Sequence, residues 1–193
     1  NLYYLFTIAA TIIMVAIQTL LTSLFRSILW LFQPNTICES VHDIDFIGLK
    51  EAGIRHILCD VDNTLLSYNE KIPSIQVLNL INRIQLMDLN IVLLSNNSNV
   101  KRIELVAQQL ELPGVSFACK PFVFSARRVM HNFDMNVKNT AVIGDQVLTD
   151  VVLGNCLGVH TIAVDPISTE GCSYLKQLQY YIEAQLLKLS PNM

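Results

Sequence analysis

The chain has 193 residues, which suits one domain with a short appendage, and it is 52% hydrophobic with a mean hydropathy of +0.42. Its net charge is −3 and it has no block of Lys or Arg, so nucleic acid is not an expected partner. Five cysteines are scattered without a C-x-x-C pair, which argues against zinc or a disulfide framework and for reduced thiols in a cytosol-facing domain.

Much of the hydrophobic excess is local. No charged residue occurs from Leu2 to Phe25, and Arg26 is the first charge. A run of about 20 apolar residues is enough to span a bilayer as a helix. Arg26 and Trp30 follow it, where a cation and an aromatic suit the interface. Arg26, Lys50 and Arg55 favour a cytoplasmic placement of what comes next. The run lacks the basic leader and small-residue cleavage site of a secretory signal. Residues 1–33 are therefore expected to be an apolar membrane-associated helix, and 34–193 the globular domain. A helix packed on that domain is the alternative.

Pro34 ends the apolar run, and 35–50 reads as a connector with a short helical turn. Residues 54–59 are apolar on both faces, as in a central strand of a parallel sheet. Further strands are expected at 91–94, 115–119, 140–143 and 160–164. Between them lie helices with one apolar face: Val77, Leu80, Ile81, Ile84 and Met87 in the first, and Val100, Ile103, Ala107 and Leu110 in the second. A third helix covers 122–133 and a short fourth runs from 150 to 157, where Gly158 stops it. Leu175, Leu178, Ile182, Leu186 and Leu189 mark a C-terminal helix. Strands alternating with helices imply an α/β fold, a doubly wound parallel sheet.

In such a sheet, function gathers at the carboxyl ends of the strands. The first strand ends on Asp60-Val61-Asp62-Asn63-Thr64. Two carboxylates one residue apart serve one site only if the chain turns at Val61, and they repel unless a cation or proton lies between them. The second strand ends on Ser95 and Asn96, the third on Lys120, and the fourth on Asp145 with Asp150 five residues on. Carboxylates beside a lysine and a hydroxyl suit a hard cation and a phosphate. Mg²⁺ fits Asp60, Asp145 and Asp150, with Asp62 entering through a backbone carbonyl near Val61–Asp62; Ser95, Asn96, helix amides and Lys120 supply donors to a phosphate. Each motif alone is an ordinary turn or cap, and their ordered occurrence is what points to a site.

Those motifs, with Gly144-Asp145-Gln146-Val147-Leu148-Thr149-Asp150, resemble the four motifs of the haloacid dehalogenase-like (HAD) phosphohydrolases over residues 35–190. Gly154-Asn155, Gly158 and His160-Thr161-Ile162 are similar to a small phosphatase family related to mitochondrial phosphatidylglycerophosphatase. The resemblance implies that Asp60 is the nucleophile and Asp62 the general acid and base. It implies that Ser95, Asn96 and Lys120 hold the phosphoryl oxygens, and that Mg²⁺ offsets charge repulsion.

Ser95 follows Asp62 by 33 residues and Lys120 follows Ser95 by 25, which leaves no room for a large cap domain. An open site and an apolar N-terminus fit a phospholipid phosphomonoester. The expected reaction is phosphatidylglycerophosphate to phosphatidylglycerol and phosphate, at a membrane, with the domain facing cytoplasm, matrix or stroma. The alternatives are a capless phosphatase of a soluble sugar phosphate, nucleotide or phosphoprotein, and a non-catalytic phosphate-binding domain.

Overall fold

Six strands, all parallel, form one sheet in the order β1-β6-β5-β2-β3-β4. The computed structural model describes residues 2–170 and 172–188. The strands are β1 (Thr36–Cys38), β2 (His56–Cys59), β3 (Asn90–Leu94), β4 (Gly114–Val115), β5 (Thr140–Gly144) and β6 (His160–Val164). Between and around them lie α1 (Leu2–Leu29), α2 (Phe46–Glu51), α3 (Ile75–Leu86), α4 (Val100–Leu110), α5 (Phe124–Asn132), α6 (Val152–Leu157) and α7 (Tyr174–Lys188). A π-helical turn, Val147–Val151, leads into α6.

The sheet is doubly wound because both faces of its strands are apolar. Ile57 and Cys59 of β2 join one cluster with Val77, Leu80 and Ile84 of α3 and Ile103 and Val106 of α4. Leu58, pointing the other way, joins a second cluster with Val129 and Met130 of α5 and Leu153 of α6. Each fully buried Leu or Ile contributes about 1.5–3 kcal/mol relative to an exposed one. Gly158 closes α6 at φ +74°, a conformation that favours glycine.

Several expectations are revised. The connector 35–50 contains β1, an edge strand paired with β6, too short and exposed to show alternation. The third strand stops at Val115 rather than Cys119, because Phe117 and Cys119 take left-handed φ of +55° and +56°. Val100 is exposed, although Ile103, Ala107 and Leu110 of the same helix are buried. Helix α7 forms as expected, but Leu175, Leu178 and Ile182 face solvent and its one buried residue is Glu183. Leu189 lies outside the described residues.

The N-terminal helix α1 is present, and its side chains from Ile12 to Leu24 are exposed. Among the described residues no helix is long and apolar enough to cross a membrane. The chain after α1 is seated by Asn155, whose amide donates to the carbonyls of Trp30, Leu31 and Gln33 at 2.9–3.0 Å.

Candidate active site

The strand order reverses at β2, which lies between β3 and β5, and the polar residues converge at this switch point. The Asp60 amide extends the ladder one residue past β2, donating to the Ile143 carbonyl at 2.9 Å. Then the chain turns. Asn63 adopts φ +67°, which asparagine tolerates, and the Leu65 and Leu66 amides both return to the Val61 carbonyl. The Asn63 side chain donates to the Ser168 carbonyl at 2.8 Å and to the Tyr180 hydroxyl at 3.0 Å, locking the turn to α7.

Asp60, Asp145, Asp150 and Lys120 form a buried cluster. Lys120 Nζ lies 2.5 Å from Asp60 Oδ1 and 2.7 Å from Asp150 Oδ1. The Thr64 hydroxyl sits between Asp60 Oδ2 at 3.4 Å and Asp145 Oδ1 at 3.3 Å. Tyr180 donates its hydroxyl to Asp145 Oδ2 at 2.5 Å. Gly144 makes room for this approach, since a Cβ there would stand 2.2 Å from Asp150 Cγ. Oxygens of Asp60, Asp145 and Asp150 lie within 4.8 Å of one another.

The charges are not balanced by the protein alone. Burial raises the Asp60 carboxyl to about 6, with Lys120 opposing the rise and Asp150 adding to it. Burial, then repulsion from Asp60 and Asp150, raises Asp145 to about 8. Burial by itself would lower Lys120, but Asp150 and Asp60 outweigh it and hold the ammonium above its ordinary value. Three carboxylates around one ammonium leave negative charge uncompensated, and a set of hard oxygen donors fits a divalent cation.

Of the residues expected around the metal, the carboxylates of Asp60, Asp145 and Asp150 come together, while the side chain of Asp62 stands apart from them. The turn directs Asp62 to the other wall, where Oδ1 accepts from Arg102 Nε at 3.1 Å and Nη2 at 2.8 Å. Its Oδ2 accepts from Asn97 Nδ2 at 2.9 Å. Arg102 also donates to the carbonyls of Ser67 and Glu70, tying the loop after β2 to α4. Ser95 is buried beside Asp62, with its hydroxyl 3.5 Å from Oδ2. Asn96 lines the same cleft, but its amide group brackets the Lys120 backbone, accepting from N at 2.7 Å and donating to O at 2.9 Å. It therefore positions Lys120.

Arg102, Asn97 and Tyr180 carry no local signal, because Arg102 and Asn97 meet Asp62 from α4 and its approach, and Tyr180 meets Asp145 from the last helix. Helix α7 turns a polar face to the site: Lys176 Nζ donates to Gln146 Oε1 at 2.5 Å, and Glu183 Oε1 accepts from the Leu148 amide at 3.0 Å. Burial raises the Glu183 carboxyl above its ordinary value. Between the two walls is a cleft of about 340 Å³, lined by Asp60, Asp62, Tyr68, Ser95–Asn97, Gln146, Thr149, Lys176 and Gln179. No inserted domain covers it, since only loops join β2 to α3 and β3 to α4.

The fold matches a protein of Porphyromonas gingivalis described as a predicted HAD-like family hydrolase, with a TM-score of 0.50 at 15% identity over 66% of this chain and 99% of that one. In sequence, the chain is 28% identical to the "probable phosphatase YqeG" of Bacillus subtilis over 81% of its own length and 90% of the relative's. It is 26% identical to the chloroplastic phosphatidylglycerophosphate phosphatase 1 of Chlamydomonas reinhardtii over 77% of its length, and spans 58% of that protein. Residues 14–168, which include every strand and all the clustered side chains, match the family described as mitochondrial PGP phosphatase, and the chain belongs to that family of capless HAD-like phosphatases.

Proposed function

We propose that the protein is a Mg²⁺-dependent phosphomonoester hydrolase working through an aspartyl-phosphate on Asp60, with phosphatidylglycerophosphate as its substrate. The observation that carries the chemistry is the buried Asp60–Lys120–Asp150 arrangement with Asp145 beside it. Asp60 Oδ2 accepts only a long contact from Thr64, so a carboxylate oxygen is available to attack phosphorus. Asp62 enters this step protonated on Oδ2, and as the P–O bond to the alcohol breaks it gives that proton to the leaving oxygen. It then takes a proton from the water that attacks the acyl phosphate, which releases inorganic phosphate and regenerates the Asp60 carboxylate. Lys120 neutralises charge on the equatorial phosphoryl oxygens and the Ser95 hydroxyl donates to them. Mg²⁺, held by Asp60, Asp145 and Asp150, supplies charge neutralisation between carboxylate and phosphate when bound.

The lipid reading is supported by the family match, the uncovered cleft and the exposed apolar side chains of α1. Residues 1–33 associate the protein with a membrane and 34–193 form the phosphatase domain. The relatives' names favour an organelle, with the domain on the matrix or stroma side, or the cytoplasm of a bacterium. The test is phosphate release by the full chain from vesicle-held phosphatidylglycerophosphate and from soluble sugar phosphates, nucleotides and phosphopeptides, with Mg²⁺ and with EDTA. Release from the lipid that EDTA abolishes is expected. Faster turnover of a soluble ester, with the lipid ignored, overturns the substrate.

A further inference from the structure

Because all six strands are parallel, every strand-to-helix connection lies at the end of the sheet that holds Asp60 and Asp145. The connections β2–α3, β3–α4 and β4–α5 form one flank of the cleft mouth, on the β3–β4 side. They carry Ile72, Phe117, Phe122 and Phe124 at the surface, with Phe122 65% and Phe124 77% exposed. Lys71, Lys101 and Arg127 stand exposed among them. Of the acids nearest them, Glu70 has its carboxylate engaged by the Ser67 amide at 2.9 Å, and Glu104 stands exposed one turn along α4 from Lys101. Asp165 and Glu170 belong to the β6–α7 connection on the opposite flank.

The other end of the sheet is mixed in charge, with Arg55 and Lys138 exposed beside its acids and Lys50 paired with Asp88. Leu86, Phe133 and Val137 are exposed there, among the exposed acids Asp88, Glu111 and Asp134. Aromatic side chains interleaved with cations suit the headgroup layer of an anionic bilayer. Phe117 sharpens the point. It holds a left-handed φ of +55°, unfavourable for a bulky residue, while burying little of its ring. Its amide donates to the Asn97 carbonyl at 3.2 Å, so its backbone is continuous with the wall that holds Asp62.

We propose that this flank is a second membrane-contact surface, separate from residues 1–33, which sets Phe117, Phe122 and Phe124 into an anionic lipid surface and turns the cleft mouth toward it. Its purpose rests on the lipid-phosphatase reading. Lys71, Lys101 and Arg127 attract the surface and the aromatic rings enter it. A phosphomonoester headgroup then reaches Asp60 without leaving the bilayer.

The two ends of α5 supply an internal comparison, since Phe124 and Phe133 are separated by about 14 Å of helix. Full-length Phe124→Trp and Phe133→Trp proteins, each measured against the parent with its single Trp30, are mixed with anionic vesicles containing brominated acyl chains. Quenching of the Trp at 124 is expected to exceed that at 133 by about twofold or more. Equal quenching overturns the proposal. A Phe117→Asn/Phe122→Ser/Phe124→Ser protein is expected to lose about tenfold in turnover of vesicle-held lipid while hydrolysing p-nitrophenyl phosphate at the parental rate. Unchanged turnover of the vesicle substrate also overturns it, as does a parent dimer that the triple variant converts to monomer with vesicle binding intact, because a second copy would then be the occupant. If the parent hydrolyses p-nitrophenyl phosphate but no lipid, the substrate reading fails while the Trp comparison still decides the surface.

Discussion

Asp60 and Asp62 are one residue apart and chemically identical, yet they occupy opposite settings. Asp60 is buried against Lys120, within reach of Asp145 and Asp150. Asp62 is held at the cleft wall by Arg102 and Asn97. Asp60 still follows the β2 ladder into the sheet's switch point, while Asp62 stands where the chain leaves the ladder for the turn at Asn63 and faces α4. Division of labour between two like residues thus comes from backbone direction and neighbouring cations.

The comparison breaks most completely at its buried half. Asp60→Asn is expected to reduce turnover on the order of 10⁴-fold or more, with circular dichroism and melting behaviour retained. Activity near the parental level would remove Asp60 as the nucleophile. Lys120→Met leaves Asp60 and Asp150 without their shared cation. It is expected to lower turnover about 10³-fold and to destabilise the fold by about 3–5 kcal/mol in urea unfolding.

The outer half is softer. Arg102→Ala frees Asp62 and the Ser67–Glu70 loop together, and about a 10²-fold loss in kcat is expected with a fold that still melts cooperatively. Arg102→Lys restores little, since an ammonium cannot donate from two nitrogens to Asp62 while holding the loop carbonyls. A full rescue by lysine would reduce Arg102 to a generic charge. Tyr180→Phe removes the hydroxyl from Asp145 and is expected to raise the Mg²⁺ concentration for half-maximal activity about tenfold, read by metal titration.

These residues also mark where the sequence stops being informative. Asp60 and Asp145 follow apolar runs that form strands where expected, so their position at one end of the sheet could be argued before any contact was known, whereas Lys120 was placed by a strand to Cys119 that stops at Val115. Arg102 is the third residue of a helix and looks like any solvated cation; its partner is 40 residues away. Tyr180 lies 35 residues from Asp145, on a helix whose apolar side faces out and whose polar side faces in. Periodicity in α7 identifies the helix correctly and gives its orientation wrongly, because the site has polar groups to satisfy. The edge strand β1 was hidden by its length of three residues.

The smallest effect sharpens the contrast between the two ends of β2. His56 begins the strand as Asp60 follows its end, and its Nδ1 is buried without a hydrogen-bond partner. Burial lowers its pKa below the ordinary value, with Asp134 opposing. The folded state therefore favours neutral imidazole. Above pH of about 6.5 both states are neutral and no penalty arises. As pH falls below that, the unfolded chain takes up the proton first, so stability is lost until the folded imidazole also titrates. His56→Val suits a strand position and is expected to flatten the fall in melting temperature between about pH 7.5 and 5.5 relative to the parent. Catalysis should not move, because the site's charges lie at the far end of the strand. Parallel melting curves for parent and variant across that interval would show that His56 titrates alike in both states.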